Sequence, residues 1–289
     1  MFMSESNTAQ ALVAHESEIK KEKQTAWDAG SDTLRDLVGQ GAEQFFKKEF
    51  PDLAHAFVEK TTCACCVDEG MTHKDMEEGD KFALAGSGIL YRATNEAERL
   101  DKVSDLTIAR GVTVITSHGG CGAAGLAYKR DFPGVTPLPA VVDKYAIDWA
   151  VKLVEAIERK QHTAEHVYVA LEEMNRSEEF HNARAVYFDA VGGFNPSKEI
   201  GLPMGFVIEK KFISAECAAD ELGVVADIAL GQHGFGELFS AQNPLVVVVF
   251  APNIEQLVNL KKEVAEILKD DKNFQAGKVK IDGLVVEKK

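Results

Sequence analysis

The stretch Ser117-His118-Gly119-Gly120-Cys121-Gly122-Ala123-Ala124-Gly125 follows an apolar run, 111–117, that predicts a buried strand. A histidine and a cysteine in one tight turn can bind a single metal ion, and the glycines allow the backbone to turn sharply. Upstream, Cys63-Ala64-Cys65-Cys66-Val67-Asp68-Glu69-Gly70 ends another predicted strand. Ligand sites in parallel α/β sheets lie beyond the carboxyl ends of the strands. The two stretches therefore predict a three-ligand metal site with an open fourth position.

The composition excludes several classes of partner. The chain has 289 residues, enough for one large domain or two modest ones, and its 45% hydrophobic and 27% charged content is typical of soluble globular proteins. There are 46 acidic and 32 basic residues, so the net charge is −14. Such an acidic surface disfavours nucleic acid and anionic lipid as partners.

Segment composition and cysteine use indicate the compartment. No apolar run approaches the roughly 20 residues of a membrane span, and the N-terminus lacks the basic and apolar regions of a signal peptide. Three of the five cysteines fall within four positions, a spacing unsuited to a disulfide framework. We therefore expect a cytoplasmic protein that keeps its thiols for metal, or an organellar one if a transit peptide has been removed.

The hydrophobic pattern predicts an α/β protein with a helical N-terminus. Residues 1–50 form a helical arm, with helices expected over 5–29 and 31–46, the second capped at Ser31. Residues 51–289 form a single α/β zinc domain with a core over 55–190 and a C-terminal α/β extension over 191–289. We find no internal repeat and expect one central, mainly parallel sheet flanked by helices.

Strands are predicted at 57–67, 81–85, 111–117, 166–171, 183–190, 205–213, 244–251 and 278–287, and the main helices of the domain at 95–110, 139–160, 215–230 and 254–269.

The metal is predicted to be zinc, which prefers thiolate and imidazole ligands. Cys66 is the favoured ligand because Asp68 lies beside it at the strand end, where a carboxylate can bind the fourth position or hold a bound water. The set is then Cys66, His118 and Cys121. A closed structural zinc with Cys63 or Cys65 as fourth ligand ranks lower, because the paired CxxC knuckles of structural sites are absent.

These motifs resemble those of the β-class carbonic anhydrases, CxDxR and HxxCG, over residues 55–190. The turn 86–90 and the later Gly231-Gln232-His233-Gly234-Phe235-Gly236 are more similar to a divergent branch, the limiting-CO2-inducible B/C and theta-type proteins. The resemblance implies a β-carbonic-anhydrase-like fold, a zinc held by the three ligands above, and a homodimer or higher homo-oligomer. Asp68 would orient or gate the fourth ligand.

One departure from the family pattern bears on activity. The arginine of CxDxR, which in the family keeps the aspartate off the metal, is Gly70 here. Arg92 is the expected substitute, with Arg99 a weaker choice and a solvated surface role for Arg92 the alternative. His233 is a candidate proton shuttle, as is His73 with a weaker case; a loop histidine bonded to backbone is the alternative.

The resemblance implies reversible hydration of CO2 to bicarbonate by zinc-bound hydroxide. Two alternatives stay open: a catalytically silent subunit in inorganic-carbon handling, closed by Asp68, and a zinc hydrolase acting on COS or CS2.

Overall fold

A computed structural model of the chain describes the backbone of residues 4–71 and 80–287, and their side chains from Val13 onward. Its helices are α1 (Ser4–Gln40), α2 (Ala42–Glu49), α3 (Glu96–Arg110), α4 (Gly122–Asp131), α5 (Pro139–Arg159), α6 (Ala215–Leu230), α7 (Ile254–Leu268) and α8 (Lys272–Gln275). Its strands are β1 (Cys63–Cys65), β2 (Lys81–Ala83), β3 (Val114–His118), β4 (Glu165–Val169), β5 (Ala185–Asp189), β6 (Gly205–Ile208), β7 (Leu245–Ala251) and β8 (Val279–Val285).

The strands form two parallel sheets, so the expectation of one central sheet is wrong. Within the described residues, the first sheet has the order β2-β1-β3-β4 and the second β6-β5-β7-β8. Strand β5, expected in the core over 55–190, pairs with β6 and β7 of the second sheet. The α/β class and the parallel pairing are as predicted. The C-terminal strands form a second sheet together with β5, in which the completely buried β7 pairs with β5 on one side and β8 on the other.

The two sheets repeat one topology, which the sequence did not indicate. In each half the first strand pairs with the second on one side and with the third on the other, and the fourth strand lies at the far edge. A helix connects the second strand to the third in both halves, namely α3 and α6. Two segments can share a topology without similar sequences because a fold depends on the hydrophobic pattern rather than on residue identity.

Helix termini lie where the side chains cap them. The Asn95 side chain accepts a hydrogen bond from the Glu98 amide at 2.9 Å, and α3 ends at Gly111, whose φ of 77° is left-handed. Ser214 and Asn253 cap α6 and α7 in the same way. These caps fix the direction in which each helix leaves the sheet.

The N-terminal arm packs on the second sheet. It is one helix through Gln40, not two, because Ser31 continues the helix and donates a hydrogen bond to the Asp28 carbonyl oxygen. The break falls at Gly41, whose φ is 80°. The Ala42 amide then donates to the Asp282 carboxylate of β8 at 3.0 Å. The arm thereby covers the β8 edge of the sheet.

Candidate metal centre

The carboxyl ends of β1 and β3 bring the three predicted ligands together. These strands are neighbours, with Ala64 in register with Ile115. Cys66 follows β1, His118 ends β3, and Cys121 is the residue before α4. Their ligand atoms all lie within 4.8 Å of one another, and all three residues are buried. The cluster is able to bind a metal ion, and its two sulfurs and one imidazole are compatible with zinc.

His118 carries a buried atom that a metal would satisfy. Its Nδ1 is 2.9 Å from the Gly119 carbonyl oxygen and donates to it, so Nε2 is the nitrogen that becomes available to a metal once its own proton is released. Within the described part of the chain, Nε2 is buried with no hydrogen-bond partner. An unsatisfied buried nitrogen is costly, and coordination to a metal removes that cost. The donor set therefore fits a metal on its own geometry.

Protons occupy the cluster when no metal is bound. The hydrogen bond to the Cys121 sulfur, followed by burial, raises the pKa of the Cys66 thiol. Burial lowers the pKa of His118, but the Cys66 sulfur and the Asp68 charge raise it more strongly, to about 9. A metal must displace these protons, so metal affinity increases with pH.

A tight turn after β2 supports Cys66. Gly86, Ser87 and Gly88 all have positive φ, at 57°, 52° and 90°. This conformation aims the Gly86 amide at the Cys66 sulfur, 3.2 Å away, and the Ser87 hydroxyl donates to the Thr116 carbonyl oxygen at 2.6 Å. The Gly-Ser-Gly turn therefore places an amide donor beside Cys66, and such a donor would stabilise the negative charge of a thiolate there.

An arginine distant in sequence holds Asp68. Arg176 Nε lies 3.0 Å from Asp68 Oδ1 and 3.2 Å from Oδ2, and Nη2 lies 3.1 Å from Oδ2. Both side chains are almost completely buried. The pairing uses the planar fork of the guanidinium, which fixes the carboxylate in position as well as in charge.

Gly70 leaves the space that Arg176 fills. A Cβ at Gly70 would lie 2.7 Å from Arg176 Cγ and 3.2 Å from Asp68 Oδ1. The Gly70 amide also donates to Asp68 Oδ1 at 2.9 Å. The position where the family motif has an arginine is thus occupied by the side chain of a different arginine.

Asp68 stays ionised in this setting. Burial alone would raise the pKa of its carboxyl group. The charges of His181, His118 and Arg176 outweigh burial and lower the pKa to about 2. Asp68 Oδ2 lies 4.0 Å from His118 Nε2. The carboxylate is therefore a permanent hydrogen-bond acceptor beside the metal ligands.

Arg92 is not the partner of Asp68, which corrects the sequence-based expectation. Its Nε and Nη2 bind the Asp220 carboxylate at 2.9 and 2.8 Å on the protein surface. Arg99 donates instead to the Tyr91 carbonyl oxygen. Residues 91 and 92 follow the 86–90 turn and lead away from the cluster toward α6, so Arg92 meets an acidic residue of that helix.

His233 also lies outside the site. Its side chain is exposed, and its carbonyl oxygen accepts the His181 amide at 2.6 Å. The histidine beside Asp68 is His181, whose Nδ1 lies 3.8 Å from Asp68 Oδ2 and 2.9 Å from Glu69 Oε2. His73, the weaker shuttle candidate, lies outside the described residues.

Asp68, Glu69 and His181 form a second cluster of possible ligands within 4.8 Å. Their atoms already have partners, since Arg176 binds Asp68, and the Asn182 amide donates to Glu69 Oε1 at 2.8 Å. We therefore describe this cluster as a hydrogen-bonded network and not as a cation site.

Two cavities lead from the site. The inner cavity, of about 40 Å³, is lined by Cys65, Cys66, Val67, Asp68, Glu69, Met71, Lys81, Ala83, Phe194, Pro196, Ser197, Gly205 and Val207. The outer cavity, of about 670 Å³, shares Glu69, Lys81, Pro196, Ser197 and Gly205 with it and opens toward the loop 199–204. The second half of the chain therefore supplies much of the wall.

Sequence reasoning missed Arg176, His181 and Glu69. Arg176 and His181 lie in the segment between β4 and β5, more than 100 residues from Asp68, with no motif around them. Only the pairing of the strands shows that this segment returns to the end of β1. Glu69 is next to Asp68 in the sequence, but a single carboxylate outside a motif does not indicate a functional role.

Comparison of the chain with models of known families, with curated proteins and with solved structures gave no match. Among the described residues, the helices lack the length of apolar sequence needed to cross a membrane.

Proposed function

We propose that this protein is a zinc-dependent carbonic anhydrase, which interconverts CO2 and bicarbonate. The observation that carries the proposal is the Asp68–Arg176 ion pair beside the Cys66–His118–Cys121 cluster. The motifs resemble those of the β class, where an arginine restrains the aspartate. Arg176 supplies that restraint from another part of the chain.

Zinc held by two thiolates and an imidazole would lower the pKa of a bound water and so supply a nucleophile at neutral pH. The chain's own residues would orient that water. Asp68 is ionised, fixed by Arg176 and by the Gly70 amide, and offers Oδ2 as an acceptor beside the ligands. An acceptor that is already in place needs no reorganisation during the reaction.

The size of the inner cavity supports a very small substrate. Its volume is about 40 Å³, whereas one water needs roughly 10–15 Å³ of such space. Side chains of Val67, Ala83, Phe194 and Val207 make part of the wall apolar. A small, uncharged molecule such as CO2 suits this space, whereas a peptide or a sugar does not.

One distance favours a second candidate, the catalytically silent zinc subunit. Asp68 Oδ2 lies only 4.0 Å from His118 Nε2, so a small movement would bring the carboxylate to the metal as a fourth ligand. Arg176 opposes that movement because it binds both Asp68 oxygens. If Arg176 keeps Asp68 off the metal, the protein is an enzyme. If Asp68 binds the metal as the fourth ligand, the protein is the silent subunit.

Metal analysis and stopped-flow CO2 hydration test the proposal. We expect one zinc per chain and hydration activity between about pH 7 and 9. Replacement Arg176→Ala should lower kcat/KM at least about a hundredfold, because Asp68 loses its orientation and can bind the metal. Arg92→Ala removes an arginine–carboxylate pair on the surface and is the matched control, with activity within about twofold of wild type.

Zinc at one per chain without any hydration would reject the enzyme and support the silent subunit. Equal losses in the two arginine variants would remove the Asp68–Arg176 pair from the mechanism.

A further inference from the structure

Lys81 is a buried amine at the junction of the two cavities. The residue is only 8% exposed, yet it lines both the inner and the outer cavity. It is the first residue of β2, and its Nζ donates hydrogen bonds to the Met71 carbonyl oxygen and, at 3.2 Å, to the Ser197 hydroxyl. A lysine ammonium has three N–H donors. Within the described residues, these two acceptors leave the third donor for a ligand.

The positive charge of Lys81 lacks a carboxylate partner within the described residues. Burial lowers the pKa of its amine, and the groups that oppose burial are two cysteine thiols of β1 and not an acid. Glu69 shares both cavities with Lys81, but its oxygens accept hydrogen bonds from the Asn182 amide and from His181 Nδ1. A buried charge without a counter-charge is costly, and a bound anion removes that cost.

The inner cavity selects a small anion. Its volume of about 40 Å³ is space for roughly three waters, which is the size of a planar oxyanion such as bicarbonate. Ser197 lines this cavity as well, and its hydroxyl can donate to an anion while it accepts from Lys81. An ammonium and a hydroxyl therefore present two donors to one small ligand.

The outer cavity does not suit an anion as a resting place. Glu69, Glu173 and Glu199 line it together with Lys81. Carboxylates repel an anion through their charge. The junction at Lys81 and Ser197 is therefore the favoured position, and the outer cavity is the exit.

We propose that Lys81 and Ser197 form a binding position for a small monovalent oxyanion, which in the reaction proposed above is bicarbonate. The choice of bicarbonate rests on the proposed function, whereas the anion position rests on the buried amine and its cavity. No covalent bond forms or breaks at this position. The ammonium and the hydroxyl hold the anion by hydrogen bonds to its oxygens.

The test uses nitrate, an unreactive planar oxyanion, with the purified full-length protein. Sodium nitrate replaces sodium chloride at constant ionic strength, and the Tm should rise saturably, because nitrate binds the folded state. In Lys81→Met the nitrate Kd obtained from this rise should increase at least about tenfold, as expected for loss of a charged hydrogen bond. The zinc content should stay unchanged, because Lys81 is not a ligand.

Lys198→Met is the matched control. It removes the same charge from the residue next to Ser197, where Lys198 pairs with Asp80 at 3.1 Å and lines neither cavity. Its nitrate Kd should stay within twofold of wild type. Ser197→Ala keeps the charge of Lys81 and should raise the nitrate Kd at least about threefold, so it decides the question if Lys81→Met does not fold.

Kinetics supply a second readout. Nitrate should inhibit bicarbonate dehydration competitively, with an inhibition constant that increases at least about tenfold in Lys81→Met and changes less than twofold in Lys198→Met.

The outcomes separate this proposal from the proposed function. A wild type without a saturable nitrate effect overturns the anion position, and so does a nitrate Kd that is equal in wild type, Lys81→Met and Ser197→Ala. A wild type that binds nitrate through Lys81 but does not hydrate CO2 overturns the proposed function and supports the anion position. An active wild type whose inhibition by nitrate is unchanged in Lys81→Met overturns the anion position alone.

Discussion

Buried carboxyl groups in this protein have opposite protonation states, and their neighbours explain the difference. Arg176 and two histidines lower the pKa of Asp68 to about 2. Burial raises the pKa of Glu221, which accepts a hydrogen bond from the neutral Ala85 amide, to about 8, and burial also raises that of Glu209. Nearby positive charges outweigh burial at Asp68, whereas burial dominates at Glu221 and Glu209.

Glu221 therefore predicts a pH dependence of stability. In the unfolded chain its carboxyl ionises above about pH 4.5, whereas in the folded protein it stays protonated up to about pH 8. Between these values the folded state binds one more proton, so its free energy of unfolding falls as pH rises, by on the order of 1 kcal/mol per pH unit. Glu221→Gln removes this term and keeps an oxygen for the Ala85 amide.

Urea denaturation at pH 5 and pH 8 measures the effect. The stability of Glu221→Gln relative to wild type should increase between these two pH values. Glu237→Gln changes an exposed carboxyl in the same half and is the control. An identical pH dependence in wild type and Glu221→Gln would show that Glu221 is ionised in the folded protein.

At the scale of elements, α1 is anchored by its C-terminal half. The Trp27 ring makes edge contacts with Phe235 and Phe239 at 5.0 and 5.1 Å between centroids. The Arg184 guanidinium lies 5.6 Å from the Trp27 ring and donates to the Ala26 carbonyl oxygen. Side chains from Val13 to Glu18 are exposed. The helix is therefore fixed to the second half of the chain near Trp27.

Trp27→Ala should lower the free energy of unfolding by about 3–5 kcal/mol, as expected for loss of a buried aromatic side chain. Val13→Ala truncates a side chain on the same helix that is 67% exposed, and it should change stability by less than about 0.5 kcal/mol. Chemical denaturation of both variants measures the difference. Similar small effects would mean that α1 does not contribute to the folded core.

Element positions could be predicted best where a cap or a long apolar run fixes them. Helix α6 has the predicted bounds, 215–230, because Ser214 caps it, and β7 falls within the predicted strand 244–251. Strand β1 is much shorter than the predicted 57–67, since Phe57 instead pairs with Phe194 in an antiparallel bridge. A contact across 137 positions leaves no trace in local periodicity.

The site could be predicted only in part for the same reason. Cys66, His118 and Cys121 lie at strand ends within recognisable motifs, and neighbouring parallel strands bring such ends together. Arg176 reaches Asp68 through the return of the chain after β4. The arginine nearer in sequence, Arg92, was a poor choice because proximity along the chain does not fix direction in space.

At the scale of the whole molecule, a bound metal would link the two strand ends that carry the site. Because Cys66 follows β1 and His118 ends β3, zinc should stabilise the fold. A ligand present at a thousandfold excess over its Kd adds about 4 kcal/mol to the free energy of unfolding. Chelation should lower the Tm, and added zinc should restore it.

The matched variants are Cys66→Ser and Cys63→Ser, which alter two buried thiols of one short segment. Cys66→Ser should abolish the zinc-dependent rise in Tm, and Cys63→Ser should retain it even if its starting Tm is lower. Retention of the rise in Cys66→Ser would show that another residue completes the site.

The two halves of the chain also bear on assembly. The resemblance implies a homodimer or higher homo-oligomer, in which an unpartnered apolar face of the N-terminal helices could serve as an interface. Phe45 and Phe46 of α2 are buried within this chain, and Phe46 contacts Phe250 of β7 at 5.6 Å. The helices therefore find their partner within the same molecule, and both the dimer and the cytoplasmic location stay predictions.

The pairing of Gly70 with Arg176 has a consequence for how such proteins are found. A search template that requires arginine two positions after Asp68 rejects this chain at Gly70. A three-dimensional template that requires a guanidinium nitrogen about 3.0 Å from the aspartate carboxylate matches this chain. Removal of the side chain at residue 70 is what admits Arg176, since a Cβ there would lie 2.7 Å from Arg176 Cγ. Under the proposed function, glycine at this position makes room for an arginine from elsewhere in the chain, and a chain with glycine there is worth screening for one.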